Sequence, residues 1–260
     1  MRNRARKIQD MDEQLLKPIK ALKKEHPLWG YRRIWAYIKY RMQITGVNKK
    51  RVYRVMKENS LLVSQLKQLR ALRTPRSKPK ATQMNQIWGI DMTKLMVNGW
   101  GWMYLVVVLD WYTKKIVGYR LNIQSTTKDW LAALNDAVNA QFPNGIRAVQ
   151  PELSLVSDNG SQPTSQRFIK ESALLGINQI FASYNNPKGN ADTERVIRTL
   201  KEDLVWPREW NSIIELKDRL DAWIVDYNTD YPHSSLGYMT PVEFENRQKN
   251  EALISTNLYA

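Results

Sequence analysis

Three carboxylates fall where an acidic side chain is either costly or poised for chemistry. Asp91 lies inside an otherwise apolar run, residues 87–95. Asp158 stands where the run 153–158 meets the turn signal Asn159-Gly160. Glu194 follows a turn-rich stretch, Asn186-Pro187-Lys188-Gly189-Asn190, at the start of a helix-forming segment. A carboxylate within a sheet is unfavourable unless it is paired or bound to a cation. The chain has no cysteine and two histidines, so convergent acids would offer oxygen ligands to a hard ion, Mg²⁺ or Mn²⁺. Two such ions about 4 Å apart would stabilise the attacking and leaving oxygens of a phosphodiester displacement. The attacking group would be a water or a 3′-hydroxyl. Asp110 is a rival strand-end carboxylate; Trp111 and Thr113 follow it, so it reads as a turn residue.

Glu194, Arg198 and Lys201 recur at i, i+4 and i+7, which places all three on one helix face. The spacing suits a metal ligand beside two phosphate-facing cations, and equally a solvent-exposed salt bridge. Lys188 in the preceding turn would add to the cationic surface.

The elements that must hold these residues are legible in outline. Residues 87–95, 103–109, 116–123, 153–158 and 179–182 read as strands, the second almost wholly apolar and therefore central. Residues 127–140, 166–175 and 213–227 have helical spacing. Three sequential strands followed by alternating strands and helices define a mixed α/β sheet covered by helices.

The first third differs. Residues 1–83 hold 23 Lys and Arg against 5 Asp and Glu, within a chain of 260 residues and net charge +15. Such asymmetry points to a polyanion, nucleic acid before an anionic membrane surface. Residues 1–10 read as unordered on their own. A helix follows over 12–25, starting or kinking near Pro18. A second carries Tyr31, Ile34, Trp35 and Ile38, and a third runs from Lys49 to Asn59 with Asn48 as its N-cap. Three short helices with a basic third describe a helix-turn-helix. Arg32, Arg33, Lys49, Lys50, Arg51 and Arg54 are its candidate DNA contacts. A helical bundle for protein contacts is the alternative. Residues 64–82, with six basic residues and two prolines, read as a linker. No signal peptide or apolar run of about 18 residues is evident, which argues against a membrane protein.

Several spaced motifs resemble one family. Trp88-Gly89-Ile90-Asp91-Met92-Thr93 looks like a first catalytic Asp in a W-x-x-D-x-T context, and Ser157-Asp158-Asn159-Gly160 like the second. Glu194 follows Asp158 after 35 intervening residues, the family's Asp–Glu gap. Lys201 stands where the family places a basic residue on the DNA end. Trp29-Gly30-Tyr31-Arg32-Arg33-Ile34 and the stretch from Tyr227-Asn228 to Thr240-Pro241 match two further signatures. Over residues 12–246 the chain resembles the DDE transposases with a retroviral-integrase-type core, most closely the second-frame protein of two-frame bacterial insertion sequences.

The resemblance implies an RNase H-like catalytic core over 85–205, preceded by an all-α helix-turn-helix module (1–63) and a basic linker (64–84), and followed by a helical extension (206–260). It also implies Asp91, Asp158 and Glu194 as catalytic ligands of two Mg²⁺ or Mn²⁺ ions, and cleavage and strand transfer of insertion-sequence ends. The expected partners are terminal inverted repeats, target DNA and further copies of the chain, with an upstream-frame protein or frameshift fusion. The expected location is the bacterial cytoplasm, on the nucleoid. The rivals are an inactive DNA-binding regulator that keeps the fold, a hydrolytic nuclease of RNase H type, and a membrane-surface protein.

Overall fold

The computed structural model describes residues 2–63, 80–146, 152–182 and 189–258, and the chain divides into two compact units. The basic linker lies largely outside the described residues, as does Lys188.

One unit takes the N-terminal helices together with Asp230–Thr240. Helix α1 spans Arg2–Glu25, α2 spans Tyr31–Ala36 and opens into a π-helical turn over Tyr37–Arg41, and α3 spans Lys49–Glu58. Two expectations fail in α1. It begins before residue 10, and Pro18 sits inside it, where proline withdraws one N–H from the ladder without ending the helix. Leu15, Ile19, Leu22, Ile34, Ile38, Val52, Val55 and Met56 form the core. The Asn48 side chain accepts the Arg51 N–H at 2.8 Å and so caps α3.

The segment Asp230–Thr240 crosses this unit as a strap. Tyr37 donates its hydroxyl to Asp230 at 2.7 Å, and Tyr231 packs edge-on against Trp29 at 5.4 Å. Tyr238 packs against Trp35 at 5.2 Å and lies under the Lys49 ammonium at 5.1 Å. The final fifty residues therefore do not form one extension: the strap belongs with the first helices, and its flanks with the other unit.

The second unit is built on a five-stranded sheet in the order β3-β2-β1-β4-β5. The strands are β1 (Ile87–Val97), β2 (Gly101–Asp110), β3 (Ile116–Asn122), β4 (Ser154–Ser157) and β5 (Asn178–Phe181). β1, β2 and β3 pair antiparallel; β4 joins β1, and β5 joins β4, in parallel. Helices α4 (Thr127–Gln141), α5 (Gln166–Leu174), α6 (Ala191–Leu200), α7 (Ile213–Thr229) and α8 (Pro241–Leu258) complete the unit. α4 opens with a capping box made by Thr126 and Asp129. It packs Trp130, Leu134, Ala137 and Val138 against Trp88, Ile90, Val106 and Val108. Gly118 permits this approach, because a Cβ there would lie 2.8 Å from the Ala137 methyl. Burial of this aliphatic and aromatic layer is the main stabilising term of the unit.

Candidate active site

Asp91 is the fifth residue of β1 and faces Val107 of β2. The parallel register aligns Trp88 with Leu155 and Gly89 with Val156. The pairing ends there, and the same offset carried two residues on would bring Asp158 level with Asp91. Asp158 lies just past β4, exposed, and accepts the Gly160 N–H at 3.0 Å. Glu194, also exposed, stands in the first turn of α6.

These acids act on one another. Burial pushes the Asp91 carboxyl up to about 7, and the charges of Asp158 and Glu194 add to the rise. The Met92 N–H, which Asp91 accepts at 2.8 Å, and the Lys201 ammonium oppose it. Three acids and one lysine thus share one electrostatic site, as a cation-binding centre requires. The side chains are not drawn together: among the described residues no three His, Asp or Glu stand close enough to hold a metal ion as they are. The donor chemistry fits a hard divalent cation, and the exposed Asp158 and Glu194 are the side chains with room to close on one.

Asp110 is a turn residue, and a buried one. It is 1% exposed, and its carboxylate accepts N–H groups from Asn85 at 2.6 Å, Tyr112 at 2.7 Å and Thr113 at 3.0 Å. Burial raises its pKa, and those donors offset part of the rise. Its role is to fold the turn after β2. Asp110→Asn would aim an amide donor at the Asn85 N–H. The expected loss is about 1–3 kcal/mol, measured by thermal or urea unfolding.

The turn carries Trp111, whose indole N–H donates to the Thr193 hydroxyl at 3.1 Å. Asn190 donates its amide to the Ile90 carbonyl at 3.2 Å, and Lys114 reaches Asp192 at 3.1 Å. Three contacts thus fasten the start of α6 to β1 and the β2–β3 turn. Sequence reasoning passed over Trp111, Thr193 and Asn190, because nothing local marks them as partners. Lys201 opens a π-helical turn, Lys201–Val205, at the end of α6, and Arg198 pairs with Glu202 at 2.8 Å with most of its side chain exposed.

The candidate DNA contacts of the first unit divide by environment. Arg32 and Lys50 are exposed, Arg32 donating to the Tyr31 hydroxyl at 3.1 Å. Arg33 lies over the Tyr231 ring at 4.4 Å, and Lys49 over Trp35 at 4.5 Å. Arg51 is half-buried and pairs with Asp12 at 2.6 Å, and Arg54 reaches the same carboxylate. Asp12 therefore ties α1 to α3. Asp12→Ala would take that carboxylate from Arg51 and Arg54, and about 1–3 kcal/mol of stability should go with it, seen as earlier thermal unfolding of the full chain.

A five-stranded mixed sheet with one acid in the middle of β1, one just past β4 and one on a following helix is the arrangement of integrase-type cores. The integrase core domain family matches residues 81–187, a second integrase core domain family matches 175–241, and an HTH-like domain matches 10–68. The transposase for insertion sequence element IS904 of Lactococcus lactis is 31% identical over 167 residues, 64% of this chain and 63% of that protein. The transposase InsD for insertion element IS2 of Escherichia coli is 26% identical over 232 residues, 85% of this chain and 74% of that protein. The chain thus spans just under two thirds of the length of the Lactococcus relative. A chain in the cryo-EM structure of the simian T-cell lymphotropic virus intasome in complex with PP2A regulatory subunit B56 gamma has the same fold, with TM-score 0.54, 16% identity, and coverage of 88% of this chain and 74% of that one. The chain thus carries integrase core domain matches over residues 81–241 and is similar to insertion-sequence transposases. No helix among the described residues is long and apolar enough to cross a membrane.

Proposed function

We propose that this protein is a DNA transposase, a polynucleotidyl transferase that cleaves the ends of an insertion sequence and joins them to target DNA. The observation that carries the reading is the electrostatic coupling of Asp91 to Asp158, Glu194 and Lys201 on an integrase-type sheet. Asp91, Asp158 and Glu194 would hold Mg²⁺ or Mn²⁺, as two ions. Bound there, the cations supply charge stabilisation to the attacking and leaving oxygens of the phosphodiester.

The chain's own groups do the rest. Asp91, whose carboxyl burial raises to about 7, would hold the cation as the deprotonated, anionic ligand. Lys201 faces the carboxylates with a positive charge, suited to a phosphate at the same place. Arg198 and Lys188 would extend that cationic surface along the DNA end. In the cleavage step water attacks phosphorus and a 3′-hydroxyl leaves. In the joining step that 3′-hydroxyl attacks a target phosphodiester, and the target's own 3′ oxygen leaves. The first unit would grip duplex DNA through Arg32 and Lys50, with Lys49, Arg33, Arg51 and Arg54 shaping the same face. The working form is a homo-oligomer on paired terminal inverted repeats, with an upstream-frame protein or frameshift fusion as partner, in the bacterial cytoplasm on the nucleoid.

The test begins with the DNA flanking the gene, where terminal inverted repeats are expected. The full chain with Mg²⁺ should nick duplexes ending in those repeats and leave 3′-hydroxyls. Equal nicking of unrelated duplexes, or nicking of RNA–DNA hybrids in preference, would point to a plain nuclease.

A further inference from the structure

Gly89 lies two residues before Asp91, and the start of α6 presses directly upon it. A Cβ on Gly89 would fall inside contact distance of the Thr193 hydroxyl and the Trp111 indole nitrogen, and 2.8 Å from the Asn190 amide oxygen. Thr193 is 0% exposed and Trp111 2%. The residue next to Thr193 is Glu194. The Thr193 hydroxyl accepts the Trp111 indole N–H at 3.1 Å, so a buried hydrogen bond at the residue next to Glu194 joins its backbone to a turn of another element, beside the Asn190 and Asp192 contacts. That turn is itself held rigid. Asp110 accepts the Tyr112 and Thr113 N–H groups, and Lys115 pairs with Glu245 of α8 at 2.6 Å.

We propose that Trp111 and Thr193, seated on Gly89, are positioning residues for Glu194: they set the distance between α6 and β1, and with it how closely Glu194 can approach the cation shared with Asp91. The inference rests on the transposase reading of the site. Neither residue touches substrate or cation. Their effect passes through the α6 backbone, as supporting hydrogen bonds orient ligands at metal sites generally. Glu194 is exposed and free to swing, so fixing its backbone is the means the fold has of limiting where its carboxylate reaches.

The test uses the full chain and two readouts. One is the affinity for Mn²⁺ without DNA, by titration calorimetry. The other is the Mg²⁺-dependent cleavage rate on an inverted-repeat end. Thr193→Val keeps the shape and removes the hydroxyl, and Trp111→Phe keeps an aromatic ring and removes the N–H. Each is expected to weaken Mn²⁺ binding and slow cleavage by about 10–100-fold. The double variant should be no worse than the poorer single one, because both remove the same bond. Thr193→Ser, which retains the hydroxyl, should restore both readouts. Should Trp111→Phe fold poorly, Thr193→Val alone decides the matter. Wild-type Mn²⁺ affinity and rate in folded Thr193→Val would overturn the proposal. So would additive losses in the double variant. A wild-type rate in Glu194→Gln would instead remove the transposase reading, and the two failures are thereby distinguishable.

Discussion

Asp91→Asn, Asp158→Asn and Glu194→Gln should each lower the rate of strand cleavage and joining by about 10³-fold or more while the protein stays folded. Each change keeps shape and volume, so the packing around it holds. Each removes an anionic oxygen from a set of three, and Mg²⁺ tolerates incomplete or distorted coordination badly. DNA binding should survive, because the duplex-gripping surface belongs to the other unit and because losing one negative charge lessens repulsion of the phosphate. Ca²⁺ should support assembly on DNA with little turnover. A single-turnover assay with labelled inverted-repeat DNA reads the loss, and a filter or gel-shift measurement reads the retained binding.

The second large effect runs in the opposite direction. Asp91→Asn should make the metal-free protein more stable at neutral pH. In the folded chain the Asp91 carboxyl is raised to about 7 from its ordinary 3.8, first by burial and then by Asp158 and Glu194. The folded state thus binds the proton more tightly than the unfolded chain. The stability contributed by that proton is present in full below pH 4. It is lost as pH rises through 7 and does not return above it. Asn carries no such penalty. It can still accept the Met92 N–H. The gap between variant and wild type should therefore open between about pH 4 and 7 and level off above, reaching on the order of 2–4 kcal/mol. In melting temperature that is about 4–16 °C for a unit of this size. Taking the difference between two proteins cancels the titration of the other acids. Saturating Mg²⁺ should raise the melting temperature of the wild type and leave Asp91→Asn nearly unmoved. A variant that melts below the wild type at pH 8 without metal would mean that Asp91 is stabilised by its surroundings rather than strained by them.

Much of the catalytic unit was open to sequence reasoning, since its strands are short β-rich runs and its acids sit at their interruptions. Asp91 and Asp158 break apolar runs, and the pairing of β1 with β4 follows once both are strands. The N-cap at Asn48 was equally plain, being a local hydrogen bond. What escaped depends on contacts between distant residues. Asp110 reads as a turn residue and is one, but its near-complete burial leaves no mark on the pattern, because its partners are backbone N–H groups. Thr193 and Trp111 are ordinary residues until the sheet brings them together across 82 positions. The placement of Asp230–Thr240 with the first helices was hidden for the same reason: Tyr231 and Tyr238 meet Trp29 and Trp35 from the far end of the chain. α8 was missed as a distinct helix because past Phe244 its residues are mostly polar and give no apolar stripe to read. Arg51 also pairs with Asp12, a long-range ion pair that charge counting does not reveal.

The strap also bears on how DNA binding is best measured. A fragment ending near residue 83 would lack Asp230, Tyr231 and Tyr238, and with them part of the packing of Trp29, Trp35 and Tyr37. The full chain is the proper material. In it, binding should weaken steeply with rising salt as phosphate contacts release counterions.

The most direct test of the account is a strand-transfer assay with the full chain, a labelled inverted-repeat end bearing a free 3′-hydroxyl, a supercoiled target and Mg²⁺. The wild type should join the end covalently to the target, and Glu194→Gln, binding the same DNA with the same affinity, should give no joined product. Joined product from Glu194→Gln at the wild-type rate, or none from the wild type with Mg²⁺ or Mn²⁺ on correct ends with the proposed upstream-frame protein supplied, would contradict it.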